Sequence, residues 1–242
     1  MRSIITGPLF KWYGSKWNAS KHYPEPLTEK VFEPFAGSAG YSLRHFHREV
    51  ELAERDIHLF PLWKWLIEEA TEEKIREIPL DLPYGTDIRS LGLDRGQELL
   101  LKSWQRTNNV GNCWTTSPWC NKPGQWTANT RSRVASEFHL IKHWKVHPDG
   151  MSLLRDKKDL MTTWFIDAPY QYNYSYSGWT VKFEHLAEVV LSLSGKAIVC
   201  EAACPKTGLK PEWLPFVPFR ETVTSRRKSH ENHHSKELVF IK

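Results

Sequence analysis

The sequence has no apolar run of the roughly 18 residues that a membrane-spanning helix needs. Its opening stretch, MRSIITGPLFKWYGSKW, has no apolar export core. Cysteine is scarce, and the four thiols, Cys113, Cys120, Cys200 and Cys204, form no CxxC pair. These absences predict reduced thiols, no structural zinc and a cytoplasmic setting. His230, His233 and His234 lie close together, but no cysteine or fourth ligand is nearby, and the stretch reads as an exposed turn. No repeat or low-complexity segment occurs. GxGxxG is missing, and no GKS or GKT follows a glycine-rich turn, so neither a dinucleotide fingerprint nor a P-loop is supported.

What is present suits a packed protein. The 242 residues are 40% hydrophobic and 25% charged, enough for one domain or one domain carrying a large insertion. The net charge of +5 permits a nucleic-acid partner without demanding one. Tryptophan is abundant, at 12 residues. Either the core is rich in tryptophan, or some rings stack on bases or a planar cofactor.

The hydrophobic pattern alternates between strand and helix. Strands are predicted at Lys30 to Phe35, Val50 to Arg55, Leu160 to Ile166 and Lys196 to Cys200, with a closing pair near Phe216 to Thr224 and Glu237 to Ile241. Helices are predicted from Leu59 to Glu77, Arg95 to Thr107, Arg131 to Trp144 and Phe183 to Leu193, and a short one after the first strand. Residues 108–130 dissolve into Asn, Gly, Thr, Pro and Trp. The expectation is an α/β sheet with a mainly helical insertion. Ligands of such sheets bind outside the carboxyl ends of the strands, so the polar signatures at three strand ends should share a cleft.

The first signature is VFEPFAGSAGYSL, whose small residues allow close backbone approach before a helix N-terminus. The second is AERDIHLF. An acid at the end of the second strand can accept two ribose hydroxyls side by side. Asp56 is best placed and Glu54 is the alternative, although Asp56 could equally cap the following helix. The third is FKWYGSKW, in which Trp12 and Lys16 could meet a cofactor's ring and carboxylate, or simply pack the segment onto the core. The fourth is TTWFIDAPYQYN. Asp167 is an acceptor, Pro169 holds Ala168 extended so that its carbonyl has a fixed direction, and Tyr170 offers a ring face. Two acceptors and a stacking platform are what a nucleobase amine needs in order to attack an electrophilic methyl group.

These four segments, in this order, resemble the Dam-like DNA adenine N6-methyltransferases of the α group. FKWYGSKW is similar to that family's KWxGxK segment, VFEPFAGSAG to its EPFxGxG turn, RDIH to DIN, and DAPY to DPPY. FEHLAEVV, KAIVCEA and the tail RRKSHENHHSKELVFIK continue in family order. The resemblance implies a Rossmann-like SAM-dependent methyltransferase sheet formed by residues 1–57 and 150–242, with a helical target-recognition insertion at 58–149. It also implies S-adenosyl-L-methionine as cofactor, held by Trp12, Lys16, Glu33, Phe35, Gly37, Asp56 and Asp167. Catalysis would fall to Asp167, Ala168, Pro169 and Tyr170, acting on N6 of a flipped-out adenine in double-stranded DNA, with the protein a monomer. N4 of cytosine, another base or RNA is the alternative substrate, and a non-catalytic DNA- or cofactor-binding relative is the rival. Ala168 replaces the first proline of DPPY; it keeps the carbonyl and loses rigidity.

Base extrusion costs a few kcal/mol and needs a grip on the backbone. Residues 101–149 interleave basic, aromatic and amide side chains, as phosphate contact and base reading require. Arg106, Asn109, Asn112, Trp119, Lys122, Trp126, Arg131 and Arg133 are the expected DNA contacts there. Arg226, Arg227 and Lys228 are those of the tail.

Overall fold

The computed structural model describes residues 4–105, 113–171, 181–204, 209–216, 218–228 and 231–242, the side chains of 221–228 and 231–236 excepted. The chain is an α/β protein built on a mixed, mostly parallel sheet. In chain order the strands are β1 (Lys30–Glu33), β2 (Glu49–Ala53), β3 (Lys145–His147), β4 (Thr162–Ile166), β5 (Gly195–Ala202), β6 (Pro218–Lys228) and β7 (Glu231–Ile241). In space they run β3-β2-β1-β4-β5-β7-β6. The first five are parallel, and β7 is antiparallel to both β5 and β6. This architecture is compatible with a Rossmann-like fold. The strand order reverses between β1 and β4, and that switch point is where an open parallel sheet leaves a crevice for ligands.

Strand periodicity divides the core. Val31, Phe165, Ile198 and Val239 point to one face, while Phe32, Trp164, Ile166, Val199 and Phe240 point to the other. The second face is covered by α5 (Gly150–Lys157) and α6 (Phe183–Ser192), through Leu153, Leu154, Leu186 and Val190. The first face is covered by the inserted helices. These are α1 (Leu59–Lys64), α2 (Glu72–Glu77), α3 (Arg95–Trp104) and α4 (Ala128–Glu137). Trp63, Leu66, Ile75, Leu100 and Val134 share one apolar cluster with the strands, so the insertion and the sheet have a common core. Trp63, Trp65, Trp104, Trp126, Trp144 and Trp164 are all buried, so half of the 12 tryptophans serve core packing.

Several element boundaries differ from the sequence expectation. Leu59 to Glu77 is not one helix: α1 passes into a π-turn at Trp65–Glu69, Ala70 is extended, and α2 restarts with Thr71 accepting a hydrogen bond from Lys74 N at 3.2 Å. A threonine cap inside a helical pattern is the cause. Similarly, α4 starts at Ala128, three residues earlier than expected, because Thr127 caps it, and it tightens into a 3-10 turn at Phe138–Ile141. Strand β3 and helix α5 were not anticipated. Because β3 pairs with β2, the segment 58–149 ends inside the sheet.

Candidate active site

Glu33 ends β1 and Asp167 follows β4, so the two acids flank the switch point. The antiparallel direction of β7 brings Glu237 to the same end, opposite Ala202 of β5. The N-terminal segment is laid over the β1 turn. A Cβ on Gly40 would lie 2.3 Å from Trp17 N, and one on Gly37 would lie 3.0 Å from Trp12 Cδ1. Gly37 also has a φ of +50°. The glycines of this turn therefore seat the chain's own Trp12 and Lys16. Ser38 donates to Ser15 Oγ at 2.8 Å and closes the same contact.

Lys16 is thereby buried, with its Nζ 2.7 Å from Asp167 Oδ2, 2.8 Å from the Gly14 carbonyl and 3.5 Å from Glu237 Oε2. Burial works against its charge, but the carboxylates of Asp167 and Glu237 outweigh it and raise its pKa. Asp167 is pushed up by burial and by Glu237, against the pull of Lys16. Its Oδ1 is buried and has no hydrogen-bond partner among the described residues. Such an atom is costly unless something donates to it. Tyr170 donates to Glu237 Oε2 at 2.8 Å, and Lys16 Nζ lies 5.2 Å from the centre of its ring. Tyr23 donates to the other oxygen, Glu237 Oε1.

Glu33 accepts a hydrogen bond from Ser42 N at 3.0 Å, and burial pushes its carboxyl up to about 8. Phe35 is half-buried beside the core of the second face. At the end of β2 the two acids part company. Asp56 Oδ1 accepts from His58 N at 2.8 Å and Leu59 N at 3.1 Å, which is the capping role. Glu54 reaches the turn: its Oε2 accepts from Gly37 N at 2.8 Å, and its Oε1 accepts from Arg55 N and Asp56 N at 2.8 and 2.9 Å. Of the two, Glu54 is the acid that faces the β1 turn.

Pro169 and Ala168 complete the turn after Asp167, and Ala168 is buried against the second face. Gln171 N points at both oxygens of Glu201, at 3.2 and 3.3 Å. Glu201 also accepts from Ala202 N at 2.8 Å and Trp213 Nε1 at 3.2 Å, and burial raises it to about 7. Glu237, Tyr23 and Glu201 were missed in the sequence. The available signal was parity: Glu237 shares its side of β7 with Val239, an inward-facing position where an acid is unexpected.

The expected DNA contacts divide. Trp119 is 58% exposed, and Lys122, also exposed, lies one turn along. Trp126 is only 1% exposed, which places it in the core and corrects its assignment as a DNA contact. Arg133 is likewise turned inward, donating to the Gly7 and Pro8 carbonyls at 3.2 and 2.8 Å and to Glu137 at 2.8 Å. Arg131 donates to the Ile78 carbonyl at 2.9 Å, joining α4 to the end of α2. Arg106, Asn109 and Asn112 lie outside the described residues, as do the side chains of Arg226, Arg227 and Lys228, whose backbone continues β6. A basic cluster not foreseen as a unit surrounds Trp114. Arg95 and Lys102 lie 4.4 Å from its ring, Arg89 lies at 5.8 Å, and His58, just past the end of β2, meets it edge-on.

Among the described residues no group of acids, histidines and cysteines is arranged to hold a metal ion, and no helix is long and apolar enough to cross a membrane. No model of a known protein family matches the chain, and no curated protein matches it.

Proposed function

We propose that the chain is an S-adenosyl-L-methionine-dependent DNA methyltransferase that modifies the exocyclic N6 of an adenine flipped out of the duplex. The observation that carries this reading is the unpartnered Asp167 Oδ1, buried at the switch point beside a lysine and a tyrosine. An orphan carboxylate oxygen next to a backbone carbonyl is suited to receive the two N–H groups of an amine. Tyr170, tethered through its hydroxyl, gives the base a ring of fixed orientation. The exposed Trp119 and Lys122 suit a polyanion with stackable bases.

The residues fit the cofactor. When bound, S-adenosylmethionine supplies an electrophilic methyl group. Glu54, at the β2 end, has the position for ribose hydroxyls, while Trp12, Lys16, Glu33, Phe35 and Gly37 line the adjoining turn. Asp167 Oδ1 and the Ala168 carbonyl hold the amine so that its nitrogen lone pair leaves the ring plane. Lys16 opposes the loss of negative charge on Asp167 that burial favours. The N–C bond would form as the cofactor's sulfur–methyl bond breaks, the neutral thioether leaving with the electron pair, and the surplus amine proton would then pass to water, so no strong base is required.

The test is incubation with labelled cofactor and unmethylated bacterial DNA, followed by nucleoside mass spectrometry. N6-methyladenine should form, and Asp167→Ala should lower its rate by roughly 100- to 1000-fold. If wild-type protein methylates only cytosine or RNA, the substrate assignment fails. If it methylates nothing while binding DNA or cofactor, the chain is a binding protein.

A further inference from the structure

Glu237 sits where the side chains of Lys16, Tyr170 and Tyr23 converge. Its Oε2 takes the Tyr170 hydroxyl at 2.8 Å and faces Lys16 Nζ at 3.5 Å, while its Oε1 takes the Tyr23 hydroxyl. Tyr23 in turn is fixed in the core: its ring stacks on Phe165 with centroids 5.8 Å apart, and Phe165 stacks on Tyr41 at 4.5 Å. Glu237 is therefore anchored on one oxygen to the rigid interior and on the other to Tyr170 and to Lys16, which pairs with Asp167.

We infer that Glu237 is a positioning residue for the reaction proposed above, holding Lys16 and Tyr170 so that Asp167 Oδ2 is occupied and Oδ1 alone faces the amine. The inference rests on that reading of Asp167. Lys16 has three N–H groups, and in this arrangement they go to Asp167 Oδ2, the Gly14 carbonyl and the Glu237 side. With the charge on Glu237 removed, Asp167 is the only carboxylate left paired with the ammonium among the described residues. Lys16 can then shift to bridge both Asp167 oxygens, which closes the acceptor needed by the substrate. A carboxylate with a purely structural role would be satisfied by the two phenols and would leave Lys16 unaffected.

Two measurements on the full chain test this. With nitrogen-15-labelled lysine, the Lys16 ammonium resonance is assigned by its loss in Lys16→Met. In Glu237→Gln it should shift and exchange with solvent roughly 10-fold faster or more. An unmoved resonance with wild-type exchange overturns the inference. In single-turnover methyl transfer, Glu237→Gln should be roughly 10- to 100-fold slower, with cofactor affinity within about twofold of wild type. Glu237→Asp, which keeps the charge, should recover part of the rate. An unchanged rate, or a fall that matches only the loss of folded protein, also overturns it. If Glu237→Gln does not fold, Tyr23→Phe loosens the same carboxylate from the core and should shift the resonance in the same direction; no shift there counts against the inference. A wild-type chain that transfers no methyl group overturns the reaction, and the lysine spectrum still decides whether Glu237 holds Lys16.

Discussion

Tyr170 and its neighbour Gln171 are gripped from opposite faces of the sheet by two carboxylates in different company. Glu237 holds the tyrosine hydroxyl and stands in a charged network with Lys16 and, through it, Asp167. Glu201 holds the Gln171 N–H with only neutral donors around it, Ala202 N and the Trp213 indole, and forms no ion pair among the described residues. Both acids are almost wholly buried, yet only one has a cation to compensate its charge. Burial of a carboxylate among neutral donors drives it toward protonation; burial beside an ammonium yields a fixed ion pair. One side of the turn thus holds an ion-paired carboxylate, and the other a carboxyl among neutral donors that burial raises to about 7.

The largest test of this contrast is Lys16→Met. It strands Asp167 and Glu237 as buried carboxylates with no cation, at an expected cost of about 3–5 kcal/mol in urea unfolding at pH 7. The deficit should shrink in acid, where the carboxylates can protonate. A loss below about 1 kcal/mol would mean that the charged grip is not a grip at all. Next comes pH. Glu201 rises from an ordinary 4.5 to about 7 in the folded chain, so its contribution to stability is complete below pH 4.5 and is lost as pH rises through 7. Unfolding measured from pH 4 to 8 should therefore fall less steeply in Glu201→Gln than in wild type, by about 3 kcal/mol across the range. Parallel slopes would erase the distinction between the two acids. The smallest expected effect is Tyr23→Phe, which removes one donor from Glu237 and should cost about 1.5–3 kcal/mol, with little pH dependence near neutrality.

Much of this arrangement was readable from the residues. Val31-Phe32 and Trp164-Phe165-Ile166 are short apolar runs each followed by an acid, and both proved to lie in central parallel strands delivering Glu33 and Asp167 to one end of the sheet. The convergence of strand ends follows from parallel topology and needs no knowledge of side-chain contacts. The missing parts depend on contacts distant in sequence. Asp56 and Glu54 are two residues apart and chemically alike, and only the path of the backbone decides that one caps α1 while the other reaches Gly37. Trp126 and Arg133 have the composition of a nucleic-acid contact, but the start of α4 at Ala128 leaves both turned inward, against the core and the carbonyls of residues 7 and 8. Strand β3 is three residues long, too short for its alternation to register as a pattern.

The bond between Tyr23 and Glu237 joins positions 214 residues apart. A ribosome adding about 10 residues per second makes the first some 20 seconds before the second. Throughout that interval the emerging chain contains Lys16 and Tyr23 without the acid that fixes them. Glu237 reaches Lys16 and Tyr170 only when β7 is laid against β5, so a nascent chain stopped short of that strand lacks this carboxylate, however well its earlier strands have paired.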